Sequence, residues 1–228
     1  FAGMEVLDGG KRLRTLPGVV LGDAQAVLRR HGYMLGPDPG STASACIGGV
    51  LADNAGGMRC KIERDSFHTI DQAEFVLTSG EIVDTRKGDD AFRKQCPELH
   101  KQLSDFRDRL RANETLVARL RAKFSIRNTN GLRIDAFLDE DEPVRILMRL
   151  LVGSEGILGV FTEAEIRTIE EEYAKTETPV VSNNSAHRWT PDVPMVVPEI
   201  NPEHYEVIEH QRKRLGTTHG FIAVKPNC

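Results

Sequence analysis

Pro37–Asp38–Pro39–Gly40–Ser41, then Ile47–Gly48–Gly49, then Ala52–Asp53–Asn54–Ala55–Gly56–Gly57: the rest of the chain is organised around this stretch. Glycine loses more backbone freedom on folding than any other residue, so a run this dense requires a reason. The usual reason is close approach of backbone to a ligand. Pro37 and Pro39 each fix φ and present the Ser41 hydroxyl and nearby N–H groups from a stiff turn, which can cradle an anion such as a pyrophosphate. Ile47, Val50 and Leu51 stand at i, i+3 and i+4, which predicts a short helix with its N-terminus offered to the same anion. The same residues also read as a plain Gly-rich turn between two elements, and spacing alone does not separate these readings.

Working outward, Met4–Asp8 and Leu13–Val20 read as strands around a Gly9–Gly10–Lys11 turn, and Asp23–His31 as a helix stopped by Gly32. Downstream, Ile70–Thr78 and Glu81–Thr85 flank Ser79–Gly80, a hairpin signal. Pro97–Phe124 is the longest helical pattern, broken once at Asn113. Its Arg107, Arg109, Arg111, Arg119, Arg121 and Lys123 could form an anion-binding face. Interleaved with Asp105, Asp108 and Glu114, they read rather as a solvated mixed-charge face. Val144–Leu151 reads as an apolar helix begun by Pro143, and Ile157–Thr162 as a strand. Between them, Gly153 and Gly156 would let N–H groups face a flavin or ribose. Glu155 is either a ligand contact or a helix N-terminal carboxylate.

Composition narrows the function classes. The 228 residues allow one large or two small domains, with 39% hydrophobic and 28% charged residues, as in ordinary globular proteins. A net charge of −4 without long single-sign runs argues against nucleic acid as a partner. No apolar run approaches the roughly 20 residues that span a bilayer, and no signal peptide is visible. Cys46, Cys60, Cys96 and Cys228 lack CxxC spacing and read as free thiols, so a cytoplasmic location and no metal site are expected.

The stretch PDPGSTASACIGGVLADNAGGMR resembles the FAD-wrapping segment of flavin-dependent D-2-hydroxyacid (D-lactate, glycolate) dehydrogenases, which carry the vanillyl-alcohol-oxidase or PCMH type of FAD domain. Leu151–Val152–Gly153–Ser154–Glu155–Gly156–Ile157–Leu158–Gly159–Val160–Phe161–Thr162–Glu163–Ala164 resembles the signature that closes the same domain. The resemblance covers residues 1–168. It implies FAD as cofactor, with Pro37, Asp38, Ser41, Gly48, Gly49, Asn54, Gly56, Gly153, Glu155, Gly156 and Ile157 as its neighbours. It also implies a small 2-hydroxy acid as substrate, giving a hydride to FAD. No catalytic acid or base stands out. His31, His68 and His100 match no family histidine, and the family's N-terminal phosphate loop and cap have no counterpart in these residues.

Near residue 168 the character changes. Ile169–Lys175 reads as a short acidic helix, with Glu170–Glu172 as an exposed linker or first turn. Pro179–Val180–Val181–Ser182–Asn183, Ser185–Ala186–His187–Arg188 and the closing Pro226–Asn227–Cys228 resemble aspartate-semialdehyde dehydrogenase of the fungal and archaeal type. That resemblance implies an NADP site near Ser182 and Asn183 and makes Cys228 the catalytic thiol. With its own α-carboxylate beside the sulfur, however, Cys228 is expected to be an ordinary thiol. The fold expected is α/β: an α+β FAD-binding fragment at 1–168 followed by a Rossmann-like fragment at 169–228. The function expected is an FAD-linked oxidoreductase fragment. The alternatives are an NADP-linked semialdehyde dehydrogenase fragment or a non-catalytic chimeric remnant. The oligomeric state is left open.

Overall fold

A φ of +68° at Gly9 turns the chain back on itself and lets β1 (Met4–Leu7) pair with β2 (Arg12–Thr15), Val6 opposite Leu13. The computed structural model describes residues 3–57, 60–126, 131–170, 179–182, 191–197 and 200–224. The second strand ends sooner than its apolar run suggests: Leu16 N still donates to Gly3 O at 2.8 Å, and the turn begins at Pro17. After it come α1 (Leu21–Arg29), β3 (Tyr33–Met34) and α2 (Ile47–Asp53). The last lies where Ile47, Val50 and Leu51 place it, with all three buried.

Asp65 caps α3 (Ser66–Thr69) by accepting from His68 N, and α3 runs straight into β4 (Ile70–Leu77). β4 and β5 (Ile82–Asp84) form the expected hairpin. Then follow α4 (Asp89–Gln95), α5 (Pro97–Arg111) and α6 (Glu114–Phe124). The break between α5 and α6 falls at Asn113, whose side chain accepts from Leu116 N at 3.0 Å and so starts the second helix. The arginines of this pair are not simply solvated. Arg111 donates to Phe137 O and Glu140 O at 2.8 Å, Arg121 to Leu138 O at 3.2 Å, and Arg107 to Asp141 O. They clamp the carbonyls in and after α7 (Ala136–Asp139).

α8 (Pro143–Leu151) begins with Pro, as expected, and buries Val144, Ile146, Leu147, Met148, Leu150 and Leu151. Each such side chain is worth about 1.5–3 kcal/mol relative to exposure. It packs near β4, whose inward residues are Ile70, Ala73, Phe75 and Leu77. β6 (Gly159–Arg167) then enters the middle of the sheet, giving the order β1–β2–β6–β4–β5, antiparallel throughout. Its Ala164 faces both Thr15 and Ala73, and a register shift lies between Glu74 and Phe75. The strand starts at Gly159 rather than Ile157, because Gly153, Glu155 and Gly156 all hold positive φ and keep the chain turning.

The expected helix from Ile169 is corrected at its start. Ile169–Glu170 is β7, paired with β3 through Met34↔Ile169 and Tyr33↔Glu170, and Thr168 N donates to Lys11 O at 3.0 Å. The edge of β3 offers Ile169, which is β-branched, and Glu170 backbone hydrogen bonds that outweigh a local helical preference. The rest of that expected helix lies outside the described residues. β8 (Pro179–Ser182) and β9 (Phe221–Val224) pair in parallel, with α9 (Ile208–Leu215) between them in sequence and in contact with β9. This is the βαβ arrangement of a Rossmann-like fragment. The fold class is therefore mixed helix and strand, as expected. Among the described residues no helix is long and apolar enough to cross a membrane.

Candidate functional site

The Gly-rich stretch is held from several sides before any ligand is considered. Gln25, on α1 and fully buried, acts as a strand for it: Nε2 donates to Leu35 O (3.0 Å) and Pro37 O (3.3 Å), and Oε1 accepts from Leu35 N (3.0 Å). A Cβ on Gly36 would lie 1.9 Å from Arg64 O, and one on Gly57 2.0 Å from Asp38 Oδ1. Pro37 and Asp38 are thus buried within the protein. Beyond them the turn folds on itself, with Thr42 N donating to Pro39 O, and Ser44 N and Ala45 N to Ser41 O. Its Ala45 and Thr42 carbonyls accept from Leu21 N and Gly22 N, both at 2.8 Å, and so cap α1. Ser41 itself is exposed.

The expectation that α2 offers its N-terminus to an anion is corrected at its first two amides. Ile47 N donates to Val19 O and Gly48 N to Pro17 O, each at 2.8 Å. The two glycines that look alike in sequence part company here. A Cβ on Gly48 would stand 2.7 Å from Pro17 Cβ, so Gly48 serves packing. One on Gly49 would meet nothing within 4 Å, and Gly49 is exposed.

At its other end α2 meets the second motif. The carbonyls of Leu51 and Ala52 accept from Gly153 N (3.0 Å) and Glu155 N (2.9 Å), so the two stretches, a hundred residues apart, close one helix terminus together. Asn54 ends α2 in the left-handed region, at φ +50°, and its Cβ lies 3.4 Å from where Gly153 would carry one. Both ends of the Asn54 side chain are spent on the protein: Nδ2 donates to Asp65 Oδ2 and Oδ1 accepts from Phe67 N, each at 3.0 Å. Glu155 sits beside Asp53, whose charge and hydrogen bond push its carboxyl above the usual carboxylate range. Gly56 is half-buried.

Beneath this junction lies an ionic cluster that sequence reading misses. Arg133 is buried between Asp135, to which Nε and Nη2 donate at 3.0 and 2.7 Å, and Asp65, to which Nη1 donates at 3.0 Å. Its guanidinium lies 3.9 Å from the centre of the Phe67 ring. His68 Nδ1 stands 2.6 Å from Asp65 Oδ1. Burial pushes the Asp65 carboxyl up, but the hydrogen bonds and charge of His68, with Asn54 and Arg133, more than reverse this and hold it below the usual range. Burial likewise works against the Arg133 cation, and Asp135 and Asp65 raise its pKa above the ordinary value. The sequence signal was an Arg-x-Asp spacing at Arg133 and Asp135, but their partner lies 68 residues away.

Several predicted site residues leave open faces. A Cβ on Gly40, Gly49 or Gly156 meets no atom within 4 Å, and Ser41, Glu155, Gly156 and Ile157 are exposed. The Ser154 hydroxyl is buried with no hydrogen-bond partner among the described residues. Open glycine backbone beside an orphaned hydroxyl fits a nucleotide cofactor. In the second region Ser182 ends β8 opposite Val224. Asn183 and Cys228 lie outside the described residues.

Known proteins match the two regions separately. Residues 1–86 match the family described as FAD binding domain, and residues 161–208 the family described as Semialdehyde dehydrogenase, NAD binding domain. Aspartate-semialdehyde dehydrogenase of Aspergillus fumigatus is 48% identical over 60 residues, covering 26% of this chain and 16% of that protein. The enzyme of the same name from Archaeoglobus fulgidus is 48% identical over 62 residues, covering 27% and 18%. The chain thus spans less than a fifth of these relatives' length. A solved structure of alkyldihydroxyacetonephosphate synthase aligns at a TM-score of 0.42 and 16% identity, over 74% of this chain and 21% of that one. FAD is accordingly the cofactor that the first region's family supports and a nicotinamide nucleotide that of the second, on a chain that joins an FAD binding domain match to a semialdehyde dehydrogenase match.

Proposed function

We propose that residues 3–170 are the flavin-holding part of an FAD-linked oxidoreductase acting on a small 2-hydroxy acid, as in the D-lactate and glycolate dehydrogenases they resemble. The observation that carries this reading is the junction at the end of α2, where Gly153 and Glu155 close the helix of the Gly-rich stretch. Bound FAD would supply a hydride acceptor; this chain's residues hold and orient it. Gly40, Ser41 and Gly49 on one stretch, with Ser154, Glu155, Gly156 and Ile157 on the other, are the residues proposed to hold it. Pro37, Asp38, Gly48 and Asn54 shape the loops from beneath. Gly49→Val tests this, because its side chain would enter open space in the protein alone. The protein mixed with FAD and freed of excess is expected to keep a visible flavin spectrum, and the Gly49→Val variant to lose it while staying folded. Equal flavin content in the two would refute this placement.

We further propose that the chain forms two packing units joined near Thr168–Glu172, with a cytoplasmic location. A second functional reading concerns the distal unit: an NADP-linked semialdehyde dehydrogenase fragment. The parallel pairing of β8 and β9 around α9 favours it. Ser182 and Asn183 would lie near the nicotinamide nucleotide, and Cys228 would be the thiol. Reduction of NADP with aspartate semialdehyde and phosphate, lost in Cys228→Ser, would support a working site. No turnover, or turnover unchanged in Cys228→Ser, would refute that reading.

A further inference from the structure

On the α2 side, the junction of the two motifs turns on a left-handed residue, Asn54. Asn54 turns the chain out of α2 at φ +50° and sits against Gly153, so its orientation sets how the two motifs meet. An asparagine tolerates this conformation because its side chain can be tied locally. Here it is tied to Asp65 and to the amide of Phe67. Asp65 in turn is crowded with donors. Its Oδ2 accepts from Asn54 Nδ2 and Arg133 Nη1, and its Oδ1 from His68 N, with His68 Nδ1 at 2.6 Å. Only a carboxylate can satisfy this set, since an amide would turn a donor toward one of these donors. Arg133 cannot swing away, because Asp135 grips the other side of its guanidinium and Phe67 covers its face.

We infer that Asp65 is a positioning residue for the cofactor: anchored by Arg133, it holds Asn54 so that the Gly-rich stretch and the Gly153–Gly156 turn meet in the geometry that takes FAD. This rests on the FAD reading above. Asp65 touches no cofactor in this assignment; it acts through Asn54. Its loss therefore should alter binding only while Asn54 is there to be misplaced.

A double-mutant cycle on the full chain tests this, with FAD affinity read from flavin fluorescence and stability from far-UV circular dichroism. Asp65→Asn is expected to weaken FAD about tenfold in the parent background and hardly at all beside Asn54→Ala. Its loss of thermal stability should persist in both backgrounds, because the Arg133 and His68 contacts do not pass through Asn54. Asn54→Ala alone should weaken FAD to a similar degree, which keeps the inference testable if Asp65→Asn does not fold. Unchanged affinity in Asn54→Ala, or the same tenfold loss from Asp65→Asn in both backgrounds, would overturn the inference and leave the FAD reading standing. A parent chain that takes up no FAD would overturn both.

Discussion

Residues 3–170 and 179–224 differ in how far apart in sequence their contacts reach. In the first region the central strand of the five-stranded sheet, β6, is the last of that sheet in sequence, after five helices that follow the β4–β5 hairpin, and the core cluster runs from Leu13 to Ile166. In the second, a parallel pair is closed by one helix, and Val193, Val196, Ile208 and Ala223 are buried apart from that cluster. The semialdehyde dehydrogenase match begins at residue 161, inside β6, although β6 is built into the antiparallel sheet of the first region. The match thus begins on a strand that the five-stranded sheet holds between β2 and β4. Hydrogen bonding carries the first region at least to Glu170, where β7 still pairs with β3.

The largest expected effect breaks the comparison if it spreads. Phe75 is fully buried in β4, with its ring centre 6.3 Å from that of Phe161. Phe75→Ala should cost about 3–5 kcal/mol through the cavity it leaves. Native-state hydrogen exchange should show lost protection in β4 and β6 with no change in β8 and β9. An equal loss in all four strands would mean one cooperative unit and would undo the proposed division.

A smaller effect sharpens the picture within the first region. Gly57→Ala forces a Cβ against Asp38 and should cost about 1–3 kcal/mol. Gly49→Ala places one in open space on a helix and should add up to about 1 kcal/mol of stability. Denaturant titration of the two variants would show opposite shifts of midpoint; shifts of the same sign would contradict the assignment of one glycine to packing and the other to an open face.

The smallest effect is a change of slope with pH. Asp65 has a lower pKa folded than unfolded, so the unfolded chain binds its proton more readily. Its contribution is complete above the ordinary carboxylate value of about 3.9 and fades as pH falls through the lower folded value. The stability gap between the parent and Asp65→Asn should therefore narrow as pH falls below about 4. A gap that widens on acidification would contradict the lowered pKa.

What the sequence by itself determined was local. The spacing of Ile47, Val50 and Leu51 located α2, Asn113 marked the break between α5 and α6, Pro143 opened α8, and Ser79–Gly80 turned β4 into β5. Each rests on contacts within a few residues, where periodicity and capping chemistry act. The two motifs also pointed to the stretches that meet at the end of α2. Tertiary structure alone decided what depended on distant partners. It put β6 at the centre of the sheet and drew Ile169–Glu170 to the edge of β3 rather than into a helix. It set Gln25 against Leu35 and Pro37, gave Gly48 to Pro17 while leaving Gly49 open, and brought Arg133 to Asp65. No local pattern encodes these, because a buried amide or ion pair is satisfied by whatever the fold carries to it, and that partner can stand anywhere in the chain.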